Sequence, residues 1–251
     1  MQPIEALAIA AAGIAAGGIN AMVGSGTLIT FPTLLAFGFP PVVANVSNNV
    51  GLVLGNITSV YGYRRELGGQ LPRLIRFGTG SLLGSLAGAF LLLKLPGSAF
   101  DAVVPGLILL ACVLVLLQPR INRRLAARQG HGDSDGGVPM WLGVFGSGIY
   151  GGYFGAAQGV LLMGLFGSFL RDDLQRLNAA KNVLATIVNG VAALVFVVFA
   201  DVNWAVAALV AGGSSIGGLL GARLGRRLPP NALRALIITV GVTAATVLLL
   251  R

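Results

Sequence analysis

Three kinds of polar feature lie inside long apolar stretches of this chain, and each could meet a charged solute. The first is a pair of glycine-rich breaks, Gly24-Ser25-Gly26-Thr27 and Gly155-Ala156-Ala157-Gln158-Gly159. A helix that starts after such a break directs unpaired N–H groups, and the positive end of its dipole, at one spot. That makes an anion site, formed here by Gly24, Ser25, Gly26 and Thr27 in one case and by Gln158, Gly159 and Val160 in the other. The second feature is an asparagine stripe. Asn45, Asn49 and Asn56 share one helix face, and Asn178, Asn182 and Asn189 repeat the spacing. An amide in hydrocarbon is costly unless it finds a partner. The partner is either another helix or a bound solute. The third feature is Lys181, a cation within an apolar helix. It either pairs with an anion or snorkels to an interface.

Apolar segments read against charges and Gly/Pro breaks must position these residues. Ten are expected, at 4–23, 27–37, 44–63, 74–93 and 99–117, and then at 140–156, 160–170, 178–199, 204–222 and 232–250. The second segment of each half spans only about 16 Å as a helix, roughly half a bilayer core. A polar stretch, 118–138, separates the halves and carries Arg120, Arg123, Arg124, Arg128, His131, Asp133 and Asp135. The division predicted is a first membrane repeat at 1–118, a linker at 119–138 on the cytoplasmic side and a second repeat at 139–251.

Composition fixes the solvent. Of 251 residues, 55% are apolar and 10% charged, with mean hydropathy +0.86. Soluble domains carry about 25% charged residues, so this chain is expected to be an all-α polytopic protein solvated by the lipid bilayer. One cysteine, Cys112, and one histidine, His131, exclude a disulfide framework and a Cys/His metal centre. The alternating pattern of a membrane barrel is absent. The net charge of +9 sits in short loops, which is a membrane-topology signal and not a nucleic-acid footprint.

An offset of 133 positions superposes 1–118 on 134–251 without a gap. It brings the asparagines together and places Gly18 and Gly26 on Gly151 and Gly159. Gly80, Gly84 and Gly88 fall on Gly213, Gly217 and Gly221, and these rows, with Gly225, read as close helix packing. Loop charge then decides the path. If each short segment returns as a hairpin, the loop arginines share one side, including Arg171, Arg176, Arg223, Arg226 and Arg227, and of the 17 basic residues only Lys94 and Arg251 fall opposite. Continuous spans would scatter the basic residues. The hairpin path makes the halves an inverted repeat with both termini outside.

No Asp or Glu lies in mid-segment, which argues against a carboxylate proton relay or a carboxylate-built cation site. Ser25 has no histidine near it in sequence to act as a base, and no phosphate-binding G-x-x-x-x-G-K-[ST] loop occurs. No catalytic residue, cofactor or metal is therefore expected.

Gly17-Gly18-Ile19-Asn20-Ala21-Met22-Val23-Gly24-Ser25-Gly26-Thr27-Leu28-Ile29, followed by Pro32 and Pro40-Pro41, resembles the first-repeat signature of the TauE/SafE family. Tyr150-Gly151-Gly152-Tyr153-Phe154-Gly155 with Leu177-Asn178-Ala179-Ala180-Lys181-Asn182 is similar to its second. The resemblance covers nearly the whole chain. It implies a transporter in the cytoplasmic membrane that exports small sulfur-containing anions such as sulfite or organosulfonates. The expected site joins Gly24, Ser25, Gly26, Thr27, Asn45, Asn49, Gln158, Gly159, Asn178, Lys181 and Asn182 around a small anion. A channel-like or accessory protein of a partner complex is the alternative, and a homo-oligomer stays open.

Overall fold

The computed structural model describes residues 1–127, 136–224 and 230–249. The expectations for Arg128, His131, Asp133, Asp135, Gly225, Arg226, Arg227 and Arg251 lie outside the described residues. Every regular element described is helical. The helices are α1 (Pro3–Met22), α2 (Thr27–Ala36), α3 (Pro41–Gly62), α4 (Leu71–Lys94) and α5 (Gly97–Ala127), then α6 (Gly137–Tyr153), α7 (Gln158–Phe169), α8 (Leu174–Phe199), α9 (Trp204–Leu224) and α10 (Pro230–Leu249). A 3-10 turn, Arg64–Leu67, joins α3 to α4.

Local chemistry sets the helix starts. Pro3 and Pro41 open α1 and α3, where a missing N–H costs nothing. Asp173 caps α8, its carboxylate accepting from Gln175 N at 2.8 Å and Arg176 N at 3.3 Å. One element runs far past its expected end: α5 continues ten residues beyond 117, to Ala127. Ile121, in this extension, packs against α7 at Gly164.

Among the described residues, five helices are long and apolar enough to cross a bilayer: Pro3–Met22, Leu71–Lys94, Gly97–Ile121, Leu174–Phe199 and Trp204–Arg223. α3 is 22 residues long, yet its asparagines lower its apolarity. It buries them, with Asn45 2% exposed and Asn56 5%. The chain is a membrane protein built of helices.

Packing pairs helices from different halves through glycines. A Cβ on Gly17 would stand 2.2 Å from Ser214 O, and one on Gly217 would stand 1.9 Å from Ile14 O. These contacts hold α1 parallel to α9. The same device holds α4 parallel to α6, where a Cβ on Gly84 would stand 2.2 Å from Phe145 O and one on Gly88 2.1 Å from Ile149 O. α3 lies along α9, with Gly55 against Ser214 and Gly62 against Ala222. α8 lies along α4, where Ser85 Oγ donates to Val188 O at 2.6 Å. The offset of 133 positions carries α1 onto α6, α3 onto α8 and α4 onto α9, so the two sets of contacts are equivalent.

The loops meet in a matching way. Arg73 Nη1 reaches Asp172 Oδ2 at 2.7 Å, and Arg176 Nε reaches Asp172 Oδ1 at 2.9 Å. Gln70 Nε2 donates to Arg176 O at 3.1 Å. The α3–α4 and α7–α8 connections therefore share one end of the bundle. The α8–α9 connection lies at the start of α3, where Asn203 N donates to Ser47 Oγ at 2.8 Å.

Two expected outcomes follow from this packing. Gly217→Ala should lower the melting temperature in detergent by several degrees, because its Cβ meets backbone that cannot yield; overpacking costs about 1–3 kcal/mol. Gly212→Ala, with nothing within 4 Å of its Cβ, should leave it unchanged or raise it. The second outcome concerns Asp172. Burial, the largest influence, pushes its carboxyl up, but hydrogen bonds from Arg73 and Asp173 N and the charge of Arg176 and Arg73 outweigh it and hold the carboxyl below its ordinary range. A depressed carboxyl stabilises the fold above its unfolded-state pKa, and that stability is lost as pH falls through the folded one. Asp172→Asn should cost about 1 kcal/mol at neutral pH. The deficit should shrink as melting is measured at progressively more acidic pH.

Candidate functional site

The first break is made by Gly24, whose φ of +80° ends α1, and Gly26, which opens α2. Gly24 N and Val23 N both donate to Ile19 O, at 3.1 and 2.7 Å. Gly26 N donates to Asn20 Oδ1 at 2.8 Å, and Asn20 Nδ2 donates to Asn56 Oδ1 at 3.1 Å. Asn20 thus fixes the turn and ties it to the α3 stripe.

The second break repeats the plan with different residues. Gly155 has φ +78°, and Phe154 N and Gly155 N both donate to Tyr150 O, at 2.9 and 3.0 Å. The Tyr150 hydroxyl donates to Ala156 O. Ala157 occupies the position equivalent to Gly24 and takes φ +59°, a left-handed conformation costing on the order of 1 kcal/mol for a residue with a Cβ.

The two breaks touch. Gly159 N donates to Gly24 O at 3.1 Å. A Cβ on Gly24 would lie 2.4 Å from Gly159 Cα, and one on Gly159 would lie 2.6 Å from Gly24 Cα and 3.0 Å from Lys181 Cδ. The backbone is therefore closed at the crossing, with the Lys181 side chain alongside.

α8 and α3 supply the surrounding polar groups. Lys181 is 0% exposed, so it does not snorkel to an interface. Its Nζ donates to Asn20 O at 3.1 Å and Ala21 O at 3.3 Å. Asn178 Nδ2 and Asn182 Nδ2 also donate to Ala21 O, each at 3.2 Å. These three side chains satisfy carbonyls at the negative end of the α1 dipole. Asn45 Nδ2 does the same for α6, donating to Tyr153 O at 3.0 Å. Asn49 Nδ2 donates to Asn189 Oδ1 at 3.3 Å, and Asn48 Nδ2 to Thr27 Oγ1 at 3.5 Å.

All the expected site residues are buried; Gly24, Gly159 and Lys181 meet at the crossing, while the Gln158 side chain lies against Gly151 of α6 and Gly26 packs on Ala16 of α1. In this conformation the Nδ2 groups of Asn45, Asn49, Asn178 and Asn182 face protein acceptors. Ser25 Oγ and Gln158 Nε2, which are repeat equivalents, are buried without a hydrogen-bond partner. Sequence reasoning passed over Asn20 and Tyr150 as site residues. Their signal in the sequence is a polar side chain in the apolar run shortly before each break. A separate cavity of about 360 Å³ lies between α2 and α10, lined by residues such as Pro32, Thr239 and Val247.

The family model described as sulfite exporter TauE/SafE matches residues 9–248. The chain belongs to the TauE/SafE family. Among its relatives, the probable membrane transporter protein YfcA of Escherichia coli (strain K12) is 26% identical over 236 residues, covering 93% of this chain and 86% of that protein. A probable membrane transporter protein of Haemophilus influenzae is 26% identical over 232 residues, covering 90% and 87%. The probable membrane transporter protein ORF9 of a Sinorhizobium species is 26% identical over 244 residues, covering 93% and 88%. No solved structure matches the chain.

The Gly24–Gly159 contact is testable alone. Gly24→Ala should cost at least about 1–3 kcal/mol in unfolding measured in detergent. Gly38→Ala carries the same positive φ, +82°, but nothing lies within 4 Å of its Cβ. It should cost only the backbone strain, and the difference between the two variants reports the crossing.

Proposed function

We propose that this protein is a secondary transporter that exports small sulfur-containing oxyanions, such as sulfite or organosulfonates, across the cytoplasmic membrane. The observation that carries the reading is the pair of orphaned polar groups, Ser25 Oγ and Gln158 Nε2, at two breaks in backbone contact. Buried polar atoms without partners are costly. A tetrahedral or trigonal oxyanion accepting from both, beside a buried ammonium, would relieve that cost.

The halves are taken as inverted repeats. The loop contacts support this, because connections equivalent by sequence lie at opposite ends of the bundle. The end carrying Arg64, Arg65, Arg73, Arg76, Arg171 and Arg176 is assigned to the cytoplasm. Glu5, Asp101 and Asp201 belong to the other end. The N-terminus then faces outward, since α1 runs parallel to α9 and starts where α9 starts.

The glycine contacts tie α1 and α3 to α9, and α6 and α8 to α4. The rigid pieces that move are thus each built from both halves. Separating them would part Gly24 from Gly159 and open the crossing to one side at a time, as alternating access requires.

The test uses purified protein in proteoliposomes with sulfite or methanesulfonate loaded on one side. Saturable flux is expected. Ser25→Ala and Gln158→Leu should each reduce it at least tenfold, about 1.4 kcal/mol of lost stabilisation, with melting of the ligand-free protein unchanged or raised. Flux that rises linearly without saturation would favour a channel. No flux of any anion from well-folded protein would contradict the proposal.

A further inference from the structure

Lys181 presents a donor count that the fold leaves unfinished. An ammonium has three N–H donors. Two are directed at Asn20 O and Ala21 O, both neutral carbonyls, and no carboxylate stands among its described partners. A neutral amine has two N–H groups and would keep both bonds. The third N–H of an ammonium has no acceptor among the described contacts. Its repeat equivalent is Asn48, which cannot titrate, so the feature belongs to one half alone.

Ionisable groups on the elements around α8 are sparse. α7 carries none, and α1 carries only Glu5, at its far end. α3 carries Tyr61, which is exposed, and is followed by Tyr63, which is buried in a cluster with Ala21 and Ala179. The 3-10 turn and α4 carry Arg64, Arg65, Glu66, Arg73 and Arg76 at the basic end and Lys94 at the other. α6 brings Tyr150 and Tyr153, while α5 brings Asp101, Cys112 and arginines from Arg120 onward. None of these is a described hydrogen-bond partner of Lys181.

The geometry points to Lys181 as the proton-coupling residue of the carrier: one proton on Nζ and one anion at the crossing bind together and leave together. This rests on the anion site proposed above. As the anion enters, the Nζ lone pair takes a proton from water, and the third N–H faces the anion. When the anion leaves, that proton returns to water and the two bonds to α1 persist. No bond to the anion forms. The physical cause is that an ammonium buried without a counter-charge is costly, and the solute supplies the missing negative charge. Linkage makes the effect reciprocal, so protonation must tighten anion binding by the factor by which the anion favours protonation.

The test is calorimetric titration of methanesulfonate into the purified full chain across a pH series, in buffers of different ionisation enthalpy. A sulfonate does not titrate over this series, so any pH dependence belongs to the protein. Affinity should weaken about tenfold per pH unit on the alkaline side, with uptake of about one proton per anion there. Lys181→Arg, a fixed cation, should bind with no pH slope, and Lys181→Asn should bind weakly with none. PH-independent wild-type binding without proton uptake would overturn the inference while leaving the anion site standing. So would a Lys181→Arg protein that keeps the slope. If that variant does not fold, wild-type proton uptake decides the matter alone. Failure of wild type to bind methanesulfonate or sulfite at any pH would overturn the anion site and the coupling with it.

Discussion

A helix interrupted inside a bilayer leaves backbone N–H and C=O groups that water cannot reach, and each must find a partner within the protein. This chain breaks two helices in that way, and much of its polar interior answers the need. Carbonyls at the end of α1 receive Lys181, Asn178 and Asn182, all from α8. The end of α6 receives Asn45 from α3. Each half thus completes the broken helix of the other. The arrangement stabilises the breaks only when both halves are present and correctly crossed.

The glycine rows follow from the same constraint. Amide and ammonium groups reach a carbonyl at about 3 Å only if the helices bearing them sit close. Association in lipid lacks a hydrophobic drive and relies on backbone approach. α1–α9 and α4–α6 achieve it with glycines whose Cβ positions would fall within 2.2 Å of a facing carbonyl, as at Gly17, Gly217, Gly84 and Gly88. At the crossing the approach is closer still in function, since Gly24 and Gly159 let two break backbones bond directly. Among the buried polar atoms left without a partner, Ser25 Oγ and Gln158 Nε2 are the two that belong to the breaks themselves.

Much of this was legible in the sequence because lipid imposes simple rules. Ten apolar segments, two short ones after glycine breaks, and the asparagine spacing all appear as helices and buried stripes. The end of α5 was not legible. Residues 118–127 are polar and include Pro119, yet Ile121 finds a seat on α7 that only the tertiary structure provides. The partners of Lys181 were equally out of reach, because spacing gives the face a residue occupies but not which carbonyls a neighbouring helix end presents there. Asn20 and Tyr150 sit in apolar runs where their polarity was visible, but their role depends on the turns that follow them. The cross-half pairing of helices was hidden for the same reason: periodicity marks an interface and leaves its partner unnamed.

Transport by this fold, as proposed, requires a solute to occupy the crossing of the two breaks. Selenite mimics sulfite and scatters anomalously, so a crystal of the protein grown with it locates the anion by its selenium. The peak is expected between Ser25 Oγ and Gln158 Nε2, within hydrogen-bonding reach of Lys181 Nζ. A transport-competent protein whose selenium lies elsewhere, with Gly24 and Gly159 still in contact and Ser25 and Gln158 still unpartnered, would contradict it.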